Sequence, residues 1–405
     1  MAYAVQWKGI EKTVLVFDFG GGTLDVTILK TGEDQKPGAE VSDPVSVPCT
    51  SRGLQQAPKN KDNEAETDSS NLRLHVLTTL GDTHLGGEDF DSNIVNFCAK
   101  KFEETEGVKL LEADQPGADL PVKRRLRRLR NECEKVKVCL TSSESATANL
   151  DTIYGDLDLQ VVVTKEEFEE MNEELFQKAI SVVADALASA KLDKEDIDEV
   201  LMVGGSSRIP RMRELLQKFL GKENLHLNQR VDIQEAVAKG AAIQACIING
   251  VSSVKGLPKV TDVQPVTLGI QERSGNMSVI IPRNTQIPVK ATQHYETADD
   301  YQTVVDIIIY SGENKVANSE GNACIGEFTL NGIPSGKKGE QPIDVTMEID
   351  ASGILNVTAV CLSTGGQQNL IIKSDRGRMS DEEVEEAKKK LNPSAVEKLK
   401  KFLKL

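Results

Sequence analysis

Val16-Phe17-Asp18-Phe19-Gly20-Gly21-Gly22-Thr23-Leu24-Asp25-Val26 is the stretch on which the fold turns. Val14 to Phe17 is a short apolar run, and Leu24 to Leu29 alternates apolar and polar residues. The glycines between them supply a tight turn, so the pattern predicts strand, glycine turn, strand. Three glycines let backbone N–H groups approach an anion without side-chain obstruction. Thr23 adds a hydroxyl donor. Asp18, at the strand end, suits a magnesium ion or a metal-bound water. Taken alone, the stretch serves equally well as a glycine-rich hairpin turn with a structural aspartate.

A second glycine loop, Gly204-Gly205-Ser206-Ser207, lies between an apolar strand over Val200 to Val203 and a helix starting near Pro210. Backbone donors and a helix N-terminus there form an anion site, or else a close packing turn. Two such loops in one α/β layer favour a nucleotide whose phosphates lie between them. Further support comes from a helix on which Leu126, Leu129, Cys133, Val136 and Leu140 step by three and four. Glu134, Lys137, Val138 and Thr141 share its other face, at a spacing that suits ribose and base contacts. By spacing alone, a solvated salt-bridge face is the stronger reading. Six of the eight residues 123–130 are basic, and a solvated face paired with carboxylates is again the preferred reading.

Composition narrows the function classes. The chain has 405 residues, with 48 Lys and Arg against 63 Asp and Glu, a net charge of −15. Such a chain repels nucleic acid and anionic membranes, so neither is an expected partner. No run approaches the ~18 apolar residues of a membrane span. The first dozen residues show no signal-peptide pattern and the last two no retention signal. The seven cysteines are scattered without a CxxC, which argues against a disulfide framework or a zinc site. A cytoplasmic location fits, with the nucleus as the alternative.

Along the chain, residues 31–70 carry Pro37, Pro44, Pro48 and Pro58, no aromatic residue and one leucine. Too little apolar surface is present to offset ordering entropy, so this is expected to be a disordered insertion. Order resumes near Leu72. Phe90, Ile94, Phe97 and Phe102 show helical spacing. Thr164-Lys165-Glu166-Glu167 is a capping box opening a helix with Phe168, Met171 and Leu175 inward. Strands alternating with helices up to about Ile248 indicate an α/β architecture. From Val263 seven β-rich runs follow: Val266–Ile270, Ser278–Ile281, Thr303–Tyr310, Ile325–Leu330, Ile343–Ile349, Ile354–Val360 and Asn369–Lys373. They predict an all-β sandwich. Ser380-Asp381-Glu382-Glu383 caps a final polar helix interrupted near Pro393.

The motifs together resemble the 70-kDa heat-shock chaperones. The opening stretch carries one signature. Gly81-Asp82-Thr83-His84-Leu85-Gly86-Gly87-Glu88-Asp89-Phe90-Asp91 and Val203-Gly204-Gly205-Ser206-Ser207-Arg208-Ile209-Pro210 carry two more. Ile349-Asp350-Ala351-Ser352-Gly353-Ile354-Leu355-Asn356-Val357 matches the substrate domain of the same family. Actin-like ATPases and sugar kinases share the glycine loops but lack the sandwich.

The resemblance implies an ATP-regulated chaperone that binds exposed hydrophobic peptide segments of client proteins, with co-chaperones as partners. Its cofactors would be ATP or ADP and Mg2+. Gly20, Gly21, Gly22 and Thr23 would hold phosphate, with Asp18 and Thr23 at the catalytic centre and Asp18 at the metal. Gly87 and Glu88 would lie near the sugar, and Glu134, Lys137 and Thr141 against adenosine. Gly205, Ser206 and Arg208 would complete the pocket. Ile270, Tyr295, Ala298, Val305, Ile307 and Ile343 would line the peptide groove. The implied layout is the second half of an actin-like two-lobed ATPase (1–250), a linker (251–262), a β-sandwich (263–374) and a truncated helical lid (375–405).

Departures from the family pattern are equally specific. The first phosphate loop and its lysine have no counterpart. The adenine-stacking arginine matches Val138, and a late carboxylate matches Gln234. Pro258 and Lys259 replace apolar linker residues, and Arg273 stands where a small or apolar residue is usual. These departures imply degenerate ATP hydrolysis. A nucleotide-independent peptide holder and an inert fragment are the alternatives.

Overall fold

The computed structural model describes residues 10–33, 72–111, 120–221, 232–248 and 259–372. Most of the expected insertion, most of the expected linker and the expected lid lie outside these residues. The described part of the chain separates into two compact units, Met1–Pro265 with Arg283–Gln286, and Val266–Pro282 with Ile287–Leu405.

In the first unit, β1 (Lys12–Phe19) and β2 (Leu24–Glu33) form the antiparallel hairpin that the glycine turn predicts. Leu15, Phe17 and Phe19 face the main core, while Val14 and Val16 pack into a smaller cluster. Both faces of β1 are therefore covered, which is why it reads as an unbroken apolar run. β3 (Leu72–Asp82) lies antiparallel beside β2, with a register shift at Ile28/Leu29. α1 (Gly87–Glu106) buries Phe90, Ile94, Cys98 and Phe102, and leaves Phe97 half-buried beneath the Lys101 ammonium. On α2 (Leu120–Cys139) the predicted stripe Leu126, Leu129, Cys133 and Val136 is buried, together with Leu140 just beyond.

β4 (Ser145–Tyr154) and β5 (Leu157–Thr164) make a hairpin that the sequence did not announce. Its outer face is polar, and only Ala148, Ile153, Leu159 and Val163 are buried. The basic run packs against it differently from expectation. Arg128 donates to the carbonyls of Asp151 (2.6 Å) and Thr152 (3.3 Å) rather than to carboxylates. Arg125 stacks 4.9 Å from the Tyr154 ring centroid.

The helix expected after Thr164 is two helices, α3 (Lys165–Met171) and α4 (Glu173–Ala190). The capping box forms as predicted, with Glu167 N–H bonded to Thr164 Oγ1 and Thr164 N–H to Glu167 Oε2. The break falls at buried Asn172, whose amide donates to the Phe168 carbonyl (2.7 Å) and accepts from Asn93 (2.9 Å). A side-chain amide that bonds its own backbone competes with the helix ladder. Phe168 and Phe176, one on each piece, then face the core, while Met171 and Leu175 are half-buried.

β6 (Glu199–Val203) joins β1 in parallel, and α5 (Pro210–Leu220) and α6 (Ala236–Ile248) follow. β7 (Lys259–Thr261), expected as linker, adds to the edge of β3 in parallel at Arg73–His75. The resulting sheet order is β6-β1-β2-β3-β7.

Among the described residues, the second unit is a sandwich of eight strands. Its first sheet takes β8 (Leu268–Gln271) and β9 (Met277–Ile281). β10 (Val289–Glu296), β11 (Val304–Ser311), β12 (Ala323–Asn331), β13 (Pro342–Ile349), β14 (Leu355–Cys361) and β15 (Gln367–Ile372) follow. The sheets are ordered β12-β11-β8-β9 and β10-β13-β14-β15. β10 is the strand that sequence reading missed. It is an edge strand whose Lys290, Thr292, Gln293 and His294 leave a weak apolar signal, and Thr292, Gln293 and His294 are exposed.

Candidate functional site

Three loops meet at the C-terminal end of β1: the Gly20–Thr23 turn, the Gly86–Glu88 entry to α1, and the Gly204–Arg208 turn. Gly20 O accepts from Gly87 N (3.0 Å) and from Ser206 Oγ (2.8 Å), and Gly21 O accepts from Glu88 N (2.7 Å). The glycines make this approach possible. A Cβ on Gly86 would lie 2.5 Å from the Gly22 carbonyl carbon. A Cβ on Gly87 would lie 2.7 Å from Ser206 Oγ and 3.1 Å from Lys137 Nζ. A Cβ on Gly21, in contrast, meets nothing within 4 Å, so this glycine fronts open space.

The predicted site residues divide accordingly. Gly20, Gly21, Gly22, Gly87, Ser206 and Lys137 are brought to one seam. Lys137 Nζ reaches across from α2 to the Gly87 carbonyl and to Asp91 Oδ2, both at 2.8 Å. Glu134 and Glu88 are exposed, and their charges bear on Asp91. Thr141 donates to the Val138 carbonyl at 2.7 Å, closing the end of its own helix. Val138 is 60% exposed. Arg208 is exposed and pairs with Asp232 at 3.4 Å. Gln234 lies beside Gly205, with its Nε2 3.7 Å from where a Cβ would stand.

Asp18 is half-buried at the strand end, and the hairpin register sets Asp25 directly opposite. Burial first, and the Asp25 charge second, hold the Asp18 carboxyl above its usual range. Thr23 is exposed, its hydroxyl 3.4 Å from Asp25 Oδ2. Like charges placed opposite each other destabilise a strand pair. An anionic ligand at this seam would therefore need a cation between it and the carboxylates. The donor set fits a magnesium–phosphate group: two carboxylates, a lysine, a hydroxyl and an open glycine turn.

The paired carboxylates also carry a stability cost. A carboxyl whose folded pKa is raised contributes stability below the unfolded value, near 3.8, and loses it as pH rises through the folded value. Asp18→Asn, which keeps the shape and removes the charge, is thus expected to raise the thermal midpoint at neutral pH in metal-free buffer. The gain should vanish as pH falls below the ordinary carboxylate range. An unchanged or lower midpoint at neutral pH would contradict the charge argument.

Sequence reading missed two members of this cluster. Asp25 could have been found from the hairpin register once the turn length was set. Asp91 is one helical turn beyond Gly87, and its role depends on the packing of α1 against α2. Its carboxyl is held above the usual range by burial, against the opposing pull of Lys137.

In the sandwich, Ile270, Ile307 and Ile343 are 5%, 3% and 2% exposed and belong to its core. Tyr295 and Val305 are partly buried against the same cluster. Five of the six expected groove residues therefore share one apolar cluster. Ala298 is half-buried outside it, in the loop after β10. The Tyr295 hydroxyl donates to Ser278 Oγ at 2.9 Å, tying edge strand β10 to edge strand β9.

No helix among the described residues is long and apolar enough to cross a membrane. The Hsp70 protein family model matches residues 69–402. Chaperone protein DnaK of Thermosipho melanesiensis is 37% identical over 398 residues, covering 96% of this chain and 58% of that protein. Heat shock cognate 70 kDa protein 3 of Dictyostelium discoideum is 37% identical over 389 residues, with coverages of 95% and 54%. A heat shock 70 kDa protein of Neurospora crassa is 36% identical over 378 residues, with coverages of 93% and 50%. The chain spans between half and three-fifths of the length of these relatives. With glycine loops and sandwich motifs in one order and a family match over most of its length, this chain belongs to the Hsp70 family.

Proposed function

We propose that this protein is a chaperone that holds exposed hydrophobic peptide segments in its sandwich, with adenine-nucleotide control weakened. The observation that carries the reading is that Ile270, Ile307 and Ile343 share one buried apolar cluster with Tyr295 and Val305, which in this reading is the floor of a groove beside the sheet edges β9 and β10. An extended peptide can add its backbone bonds to such an edge and place apolar side chains against the floor. The names of the relatives, chaperone and heat shock protein, support this reading. Client proteins and co-chaperones are its implied partners.

ATP or ADP with Mg2+ would be held at the seam of the three glycine loops. Gly21, Gly22 and Thr23 would meet phosphate, Asp18 the metal, Gly87 and Glu88 the sugar, and Glu134, Lys137 and Thr141 adenosine. The metal would supply charge neutralisation between phosphate and carboxylates. Two features weaken this site. Val138 offers no cation to stack on a base, a contact that contributes ~0.5–2 kcal/mol. Gln234 offers an amide where the family pattern has a carboxylate, which argues for degenerate hydrolysis.

The test is fluorescence anisotropy of a labelled leucine-rich peptide against the full 405-residue chain, with and without ATP and magnesium. Saturable binding is expected, with a release rate that ATP changes less than about twofold (~0.4 kcal/mol). Absence of saturable binding would overturn the peptide reading. A release rate that ATP accelerates about tenfold or more would show full nucleotide control and overturn the weakened-site reading.

A further inference from the structure

We propose that the seam of the three glycine loops reads a nucleotide by its phosphates and sugar and not by its base, so that its ligands are ribonucleoside triphosphates of any base. The proposal rests on the nucleotide reading above and names the ligand class which that site admits. The two ends of the candidate site are built differently. One is held in place and partly buried, and the other is open to solvent.

The held end centres on Lys137. Its side chain and that of Asp91 are 13% and 15% exposed. The ammonium sits 2.8 Å from both Asp91 Oδ2 and the Gly87 carbonyl. Two of its three donors are thereby fixed, which leaves the third for a ligand. Lys137 Nζ, Ser206 Oγ and Gly21 Cα all lie within 3.5 Å of where a Cβ on Gly87 would stand. The ammonium is therefore adjacent to the glycine turn, and Gly21 itself fronts open space. Glu88 is tied to the same turn by its N–H, 2.7 Å from Gly21 O. A ligand that meets these groups finds donors already in place and spends little on ordering them.

The nucleoside end, lined in this reading by Glu134, Val138, Thr141 and Arg208, lacks such an arrangement among the described residues. Glu134 and Val138 are exposed. The Arg208 guanidinium is exposed and turned to Asp232 at 3.4 Å. The Thr141 hydroxyl donates its proton to the Val138 carbonyl. The neighbouring crevice, lined by Leu140, Thr141, Phe168 and Ile209, has no room for a water molecule. A base cannot enter it and would lie on the surface. Selection among bases comes from buried polar groups that the wrong base leaves unpaired. A base in contact with water keeps its hydrogen bonds whichever base it is, so a wrong one costs little.

The experiment is calorimetric titration of the full chain, in the presence of magnesium, with ATP, GTP, CTP, UTP and inorganic triphosphate. The four nucleotides are expected to bind within about threefold of one another. Val138→Arg, at an exposed position, sets a cation against whichever base is bound. It should tighten all four relative to inorganic triphosphate by about two- to fivefold. Asp91→Asn keeps the shape and releases one hold on Lys137. It should weaken all four by one common factor, about tenfold. Inorganic triphosphate, which has no sugar, should not be weakened by that change.

A preference of about tenfold or more for any one base in the wild type would overturn the inference and leave the nucleotide reading standing. Equal weakening of inorganic triphosphate and ATP in Asp91→Asn would also overturn it, because Lys137 would then act on phosphate and not on the sugar. Binding of none of the four nucleotides would sink the nucleotide reading and this inference with it.

Discussion

Gly204→Ala is expected to lower the stability of the first unit by about 2–6 kcal/mol and to open the seam between the glycine loops. Two independent causes add here. Gly204 has φ +83, a conformation that costs a side-chain-bearing residue ~1–3 kcal/mol. Its Cβ would also press on the Phe19 carbonyl, with the carbonyl carbon 2.6 Å away and Asp18 Oδ1 2.9 Å away. Both neighbours belong to a strand paired on both sides, β2 on one and β6 on the other, so they cannot yield cheaply. Overpacking of this kind costs a further ~1–3 kcal/mol. Urea unfolding followed by circular dichroism measures the loss. Gly221→Ala separates the causes, because Gly221 has φ +65 but nothing within 4 Å of its Cβ. It should lose only ~1–2 kcal/mol. Gly21→Ala has open space and no such φ, and should stay within about 0.5 kcal/mol of wild type. Equal losses in all three would refute the argument that the close approach is what requires glycine at 204.

Phe90→Ala should be comparably damaging, at about 3–5 kcal/mol. Phe90 is fully buried and lies at the centre of an aromatic group. Its ring centroid is 5.7 Å from Phe19, 5.1 Å from Phe176 and 6.0 Å from Phe168. β1, α1, α3 and α4 each contribute one of these rings, so a cavity here loosens four elements at once. Phe90 is also three residues beyond Gly87, where α1 enters the seam of the candidate site. The loss should therefore appear both in the unfolding transition and as increased amide exchange at Gly87 and Glu88. A loss below about 1.5 kcal/mol would show that the neighbouring rings collapse into the space.

Much of the fold was legible because its signals are local. The apolar run of β1, the alternation through β2, the heptad-like stripe on α2 and the Thr164 capping box depend only on residues within a turn or two. Each appears where the sequence placed it. What was not legible depends on partners distant in the chain. Asn172 breaks a helix by bonding Phe168 and accepting from Asn93, 79 residues away. β10 becomes a strand because β13 pairs with it along its full length, not because its own residues favour one. Lys259-Val260-Thr261 becomes a sheet edge because β3 leaves its outer edge open.

The candidate site divides along the same line. The residue types were determined by the chain itself: glycines that admit backbone donors, a lysine on a helix face, and an aspartate closing a strand. Family membership followed from their order. Spacing alone favoured a solvated face for Glu134 and Lys137, and only the packing of α2 against α1 sets Lys137 on Asp91 and Gly87. The pairing of Asp18 with Asp25 likewise needs the hairpin register, and the contact of Arg273 with Asp299 needs the β8–β9 turn to meet the loop after β10. A sequence specifies which groups are present and how each local segment bends. Steric contact acts over a few ångströms and screened charge interactions over roughly 10 Å, so what those groups do to one another was decided by the tertiary structure that brings them together.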